Sequence, residues 1–162
     1  MTLHELFAGL EATPVGTAIR ESTWLFPTIE TVHVFAITLV LGSIAIVDLR
    51  LLNLASRNRS ITELTREVLP WTWAAFILAA LSGGLLFTSS AVKYTQNMPF
   101  KAKMLLMLVA GANMLLFQFG TYRSVSGWDR GTTPTGARLA GALSLALWFT
   151  VMSLGRWIGF TT

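Results

Sequence analysis

The sequence predicts an all-α protein: a polytopic membrane bundle of four transmembrane helices behind an N-terminal interfacial amphipathic helix. Three observations lead there. Of the 162 residues, 53% are apolar and only 12% charged, about half the charge of an ordinary soluble domain. The polar residues gather between long apolar runs. Four of those runs reach the ~20 residues needed to cross ~30 Å of hydrocarbon.

Taken in order, residues 1–23 lack the basic start and continuous apolar run of a cleavable signal, and they contain Glu5, Glu11 and Glu21. They read as helix lying on the membrane. Thr2-Leu3-His4-Glu5 has the form of a capping box, which satisfies free backbone donors at a helix start. Leu3, Leu6, Phe7 and Leu10 then share one face, making it amphipathic. Thr13-Pro14 restarts a short helix, with Pro14 at the first helical position, where its missing N–H is not needed. Trp24 suits the interface before the first span.

Residues 24–162 form the transmembrane domain, with spans at about 27–50, 71–91, 102–122 and 139–160. Ser60-Ile61-Thr62-Glu63 is a second capping box, so a separate short helix is expected from Ile61 to Pro70. Gly83, Gly84, Gly111, Gly155 and Gly159, with the pair Ala142 and Ala146, let helices approach closely where lipid offers no hydrophobic drive. They serve packing within the bundle or contact with a second copy. No internal repeat stands out.

Charge and cysteine content exclude several classes. The net charge of +4 does not mark a nucleic-acid binder, because the basic residues are spread over separate loops. Arg50, Arg57, Arg59, Arg66, Arg123, Arg130 and Arg138 fall on one side. Arg20, Lys93, Lys101, Lys103 and Arg156 fall on the other. The positive-inside rule then places both termini outside the cytoplasm, in a bacterial inner membrane. With no cysteine, disulfides, thiolate metal sites, iron–sulfur clusters and covalent haem attachment are excluded. Two histidines cannot build a histidine cage for a metal.

The candidate site lies at the outer end. His33 sits roughly 9 Å inside the first span, counting ~1.5 Å per residue, with Glu30 on the same face at i, i+3. Lys101 and Lys103 open the third span on that side, and Arg156 lies near the outer end of the fourth. Ionisable groups inside a membrane are expensive and mark function by default. Met107 and Met152 lie close to the depth of His33. Imidazole with Met is an axial pair for b-type haem, whose propionates the basic groups would neutralise. His33 is therefore the candidate iron ligand, alone or with Met107 or Met152, and Glu30 would orient its ring. Glu30-x-x-His33 also has the spacing used in di-iron bundles, but those need two such motifs and further glutamates, which the other spans lack. A proton or ion path is a further reading, with few polar groups to continue it in the inner half. Arg50 is expected to snorkel to the cytoplasmic interface, Asp48 to pair with an arginine of the first or third loop, and Asn113 and Gln118 to hydrogen-bond between helices.

The strings "IETVHVFAITLVLGSIAIVDLRLL", "NMPFKAK" and "GRWIGF" together resemble an uncharacterised family of small four-helix bacterial inner-membrane proteins of unknown function. The layout is more distantly similar to haem-associated membrane proteins of the protoporphyrinogen oxidase type and to copper-resistance D-type membrane domains. In those, a histidine early in a span precedes an apolar run and a glycine, as His33 precedes Gly42. The oxidase likeness also implies a role for a lysine at a span start, here Lys101 or Lys103. The further histidines of the copper-resistance type and the basic, aromatic motif of the oxidase type are absent. The function expected is a small membrane subunit, associated with b-type haem or quinone in electron transfer within a larger complex. It would contact the bilayer and either other membrane subunits or copies of itself. The alternatives are a non-catalytic scaffold subunit and a small transporter or ion path.

Overall fold

The computed structural model describes residues 2–161. The described residues are helical almost throughout: α1 (Leu3–Glu11), α2 (Pro14–Glu21), α3 (Leu25–Leu51), α4 (Ile61–Ser89), α5 (Ala91–Gln96), α6 (Met98–Phe119) and α7 (Thr135–Thr161), with a 3₁₀ stretch at Thr121–Gly127. Four helices are long and apolar enough to cross a membrane: α3, α4, α6 with the 3₁₀ stretch, and α7. Phe35, Leu39, Leu81, Leu105, Leu116 and Phe149 stand exposed on their outer faces. An apolar surface of that extent needs lipid around it. This is a helical membrane bundle.

The caps predicted from sequence form. Thr2 and Glu5 make the reciprocal capping box of α1, and Thr13 caps α2 with Pro14 in the first turn. Ser60 accepts from Glu63 N at 3.0 Å to start α4. The Glu63 carboxylate reaches outward instead, to Arg130 at 3.0 Å. The separate helix ending at Pro70 is corrected: α4 runs unbroken from Ile61 to Ser89, with Pro70 inside it. Proline removes one backbone donor, but neighbouring helices tolerate that loss in a span. The firmly capped first turns carry the helix through it. The third span begins earlier than expected, at Met98, because Asn97 accepts from Phe100 N at 3.0 Å and Pro99 suits the first turn. Lys101 and Lys103 therefore lie inside the helix.

The principal seams join α3 to α4, α6 to α7 and α3 to α7. The helices α4 and α6 make no comparable seam, so the bundle is an arc with a groove between its two ends. At one end of the bundle α2 packs on α4, so closely that a Cβ on Gly16 would stand 2.7 Å from Thr88 O. Phe7 meets Phe87 edge-on, and Phe87 stacks on Tyr94 and Phe100. Leu3 and Leu6 remain exposed. Asn97 also donates to Thr161 Oγ1 at 2.9 Å, tying the start of α6 to the end of α7.

The other end is a polar knot, and it overturns two expectations. Arg50 does not snorkel; it is only 1% exposed. Its guanidinium donates to Arg59 O at 2.8 Å, Asn53 Oδ1 at 3.2 Å, Asp129 O at 3.3 Å and Thr133 Oγ1 at 3.4 Å. These acceptors come from both loops at this end, so Arg50 joins them. Asp48 pairs with no arginine, and its Oδ2 has no hydrogen-bond partner. Arg50 is two residues away, but its guanidinium is turned to the loop acceptors, with four of its five N–H donors engaged there. Asn113 behaves as expected, donating across helices to Ala140 O at 3.0 Å.

Candidate functional site

His33 faces α4, where Ser82 lies one span away. The imidazole Nδ1 and Ser82 Oγ are 3.0 Å apart, and the Ser82 hydroxyl donates to Leu78 O at 2.7 Å. A hydroxyl has one proton, so Ser82 Oγ is the acceptor in its contact with His33. With the Ser82 proton turned to Leu78 O, a neutral imidazole has its proton on Nδ1 and its lone pair on Nε2. The ring fits only because residue 83 lacks a side chain: a Cβ there would stand 2.9 Å from His33 Cε1.

Lys103 approaches from α6 across the bundle. Its chain lies along Gly155 of α7, where a Cβ would meet Nζ at 3.4 Å and Cε at 3.8 Å. Among the described residues its ammonium makes no ion pair or hydrogen bond. His33, Lys103, Met107 and Met152 line one cleft of about 90 Å³, whose remaining walls are apolar. Four of the seven candidate residues therefore come together. Glu30 is exposed and acts on Tyr94 rather than on the imidazole. Burial, and then the Glu30 charge, push the Tyr94 hydroxyl above its ordinary pKa. Lys101 is exposed, and the Arg156 guanidinium sits 5.0 Å over the Phe160 ring.

The donor set suits haem b: an imidazole, two thioethers and one lysine. The space does not. A cavity of ~150 Å³ takes a single benzene ring, and this one is about 90 Å³, against a macrocycle of four rings. A haem would need the helices to part. The edge of one polar ring needs much less.

A second, larger cavity of about 430 Å³ runs along the groove below, between α4 and α6, with Asp48, Asn113, Gln118 and Ser144 on its walls. Sequence reasoning missed it, as it missed Ser82 and the roles of Gly83 and Gly155. A serine in an apolar run gives no signal by itself. Only the register of α3 against α4 makes it a partner. Beyond the spans, Asp129 lies at the start of α4 and accepts from Thr62 N at 2.8 Å. Partial burial acts to raise its pKa, but hydrogen bonds from Thr62, Ser60 and Ile61 outweigh that and hold it below the usual carboxylate range.

The profile of a family of unknown function, DUF6644, matches residues 15–161. The chain belongs to the DUF6644 family. That membership bears out the resemblance to an uncharacterised family and leaves the two more distant likenesses unconfirmed. No match was found among curated proteins or among solved structures. For this DUF6644 member, any functional reading therefore rests on the chemistry of its own residues.

Proposed function

We propose that the protein is a small membrane redox subunit that holds one oxygen-bearing edge of the head group of a lipid-soluble quinone at His33 and Lys103, with the rest of the ring outside the cleft, beside a partner subunit that supplies electrons. One observation carries the reading: an imidazole and an unpaired ammonium reach the same apolar cleft from facing helices. A quinone oxygen is a hydrogen-bond acceptor, and Lys103 is a donor without a partner. The quinol hydroxyl is a donor, and the Nε2 lone pair of His33 is an acceptor. The pair thus has one group for each oxidation state. Glu30, Lys101 and Arg156 lie toward the same membrane face and set its charge. By the arginine balance of the loops, that face is periplasmic in a bacterial inner membrane, with both termini outside.

Haem b is the second reading, supported by Met107 and Met152 sharing the cleft with His33. The scaffold reading draws on the His33–Ser82 contact, which ties α3 to α4. One preparation separates the three. The full-length protein is purified from native membranes, its visible spectrum is recorded, and its lipid extract is assayed for quinone. Quinone near one per chain, lost in His33→Ala and Lys103→Met but kept in Lys101→Met, supports the proposal. A Soret band transfers the site to haem. Neither chromophore, with His33→Ala lowering only stability, makes the pair structural.

A further inference from the structure

We propose that the groove between α4 and α6 is a binding site for a lipid-soluble organic cation, a protonated amine with an apolar body, anchored on Asp48. The site adjoins the His33 cleft, with Val40, Phe76, Met107 and Trp148 on the walls of both, but its anchor is Asp48 and the proposal does not depend on that reading. Asp48 is 6% exposed, and its Oδ2 has no hydrogen-bond partner. The Ser144 hydroxyl is beside it, but no cation pairs with it among the described residues. Arg50, the nearest cation in sequence, spends its donors on Arg59, Asn53, Asp129 and Thr133. A carboxylate within a span without a counter-charge is expensive; it is relieved by taking up a proton or by a cation that a ligand brings, and the open groove beside Asp48 admits the second.

The surroundings match that ligand. The cavity of about 430 Å³ falls in the ~300–1,000 Å³ range of small-molecule sites. Its walls are mostly apolar, with Trp73 and Trp148 among them. It lies where α4 and α6 fail to pack, so a molecule dissolved in the bilayer reaches it sideways. Asn113 spends one of its two amide N–H donors on Ala140 O.

The test uses the full-length protein in nanodiscs with dansylcadaverine, a lipid-soluble primary amine. Binding is followed by energy transfer from Trp73 and Trp148, and empty nanodiscs give the partition baseline. The N-acetylated probe has nearly the same apolar body without the charge. Saturable binding of the amine, at least tenfold tighter than its acetylated form, is expected. Asp48→Asn should reduce the amine to the affinity of the acetylated probe, and Asp48→Glu should keep most of the preference. Gly111→Leu should weaken both probes, because a Cβ at 111 meets nothing within 4 Å and its side chain extends into the groove. Equal binding of the two probes, a signal no greater than partition, or an unchanged amine affinity in folded Asp48→Asn overturns the proposal. If Asp48→Asn fails to fold, full binding by Gly111→Leu overturns it instead.

Discussion

His33 and Gly83 are complementary: the imidazole edge occupies the space that any side chain at position 83 would fill, with Cε1 2.9 Å from the place of a Cβ. A contact that short forces something to move, and the imidazole is held on α4 by Ser82. Gly83→Ala should therefore displace His33 and weaken its contact with Ser82, even though alanine is the better helix former by about 1 kcal/mol. Gly84 is the control, since a Cβ there meets nothing within 4 Å. Thermal unfolding in detergent should show Gly84→Ala neutral or stabilising and Gly83→Ala destabilising, with bound quinone lost only in the latter. Equal behaviour of the two would separate Gly83 from the site.

Gly155 plays a milder part for Lys103. A Cβ 3.4 Å from Nζ is ordinary contact, so Gly155→Ala should be tolerated. Gly155→Leu should push the lysine out of the cleft and lower quinone occupancy severalfold. Gly159→Leu, in open space on the same helix, should leave occupancy unchanged. Quinone content per mole of purified variant checks all three.

Arg50 gives the strongest stability prediction. Arg50→Met keeps much of the volume but orphans acceptors contributed by two loops. Each buried group left unpaired costs about 1–3 kcal/mol, so a loss of about 3 kcal/mol is expected in denaturant unfolding. Arg57 is exposed and donates to the Asn53 carbonyl of the same loop, so Arg57→Met should change stability by less than about 0.5 kcal/mol. A mild Arg50→Met would mean that water satisfies those carbonyls.

Asp129 makes the loop junction pH-dependent. Its pKa is lower in the folded chain than the ordinary 3.8, so the folded state binds fewer protons than the unfolded one. Its contribution is complete above that value and fades as pH falls from there through the folded pKa. Asp129→Asn should thus destabilise at pH 7, with the difference from the wild type shrinking as pH falls below 3.8. Amide exchange at Thr62, the donor to this carboxylate, would report the change directly. A difference that stays constant as pH falls would assign the effect to packing.

Topology can be tested cleanly because the chain has no cysteine. Ser56, Gln96 and Thr132 are all exposed. With single cysteines at these positions, an impermeant reagent on intact cells should label position 96 and spare 56 and 132. Labelling at 56 or 132 alone would reverse the orientation.

Much of the fold was legible because a span announces itself by composition. In α3 and α7 every turn must be apolar, whatever it packs against, so length and hydropathy suffice. The caps at Thr2, Thr13 and Ser60 are local, formed by side chains within three residues of their donors. The boundary at Pro70 was misread because proline usually ends a helix in water, whereas here the caps at Ser60 and Asp129 and the surrounding bundle outweigh one lost donor.

The sequence alone determined that this chain lives in a bilayer, how many helices cross it, and that His33 is an ionisable group within one of them. Tertiary structure decided which groups meet. It put Ser82 and Gly83 against His33, drew Lys103 across to Gly155, left Glu30, Lys101 and Arg156 outside the cleft, buried Arg50 and isolated Asp48. The physical reason is that lipid rewards an apolar surface on any face of a helix. Hydropathy is therefore blind to rotation and register, and only the close approach of helices at small residues, with hydrogen bonds between them, selects the neighbours.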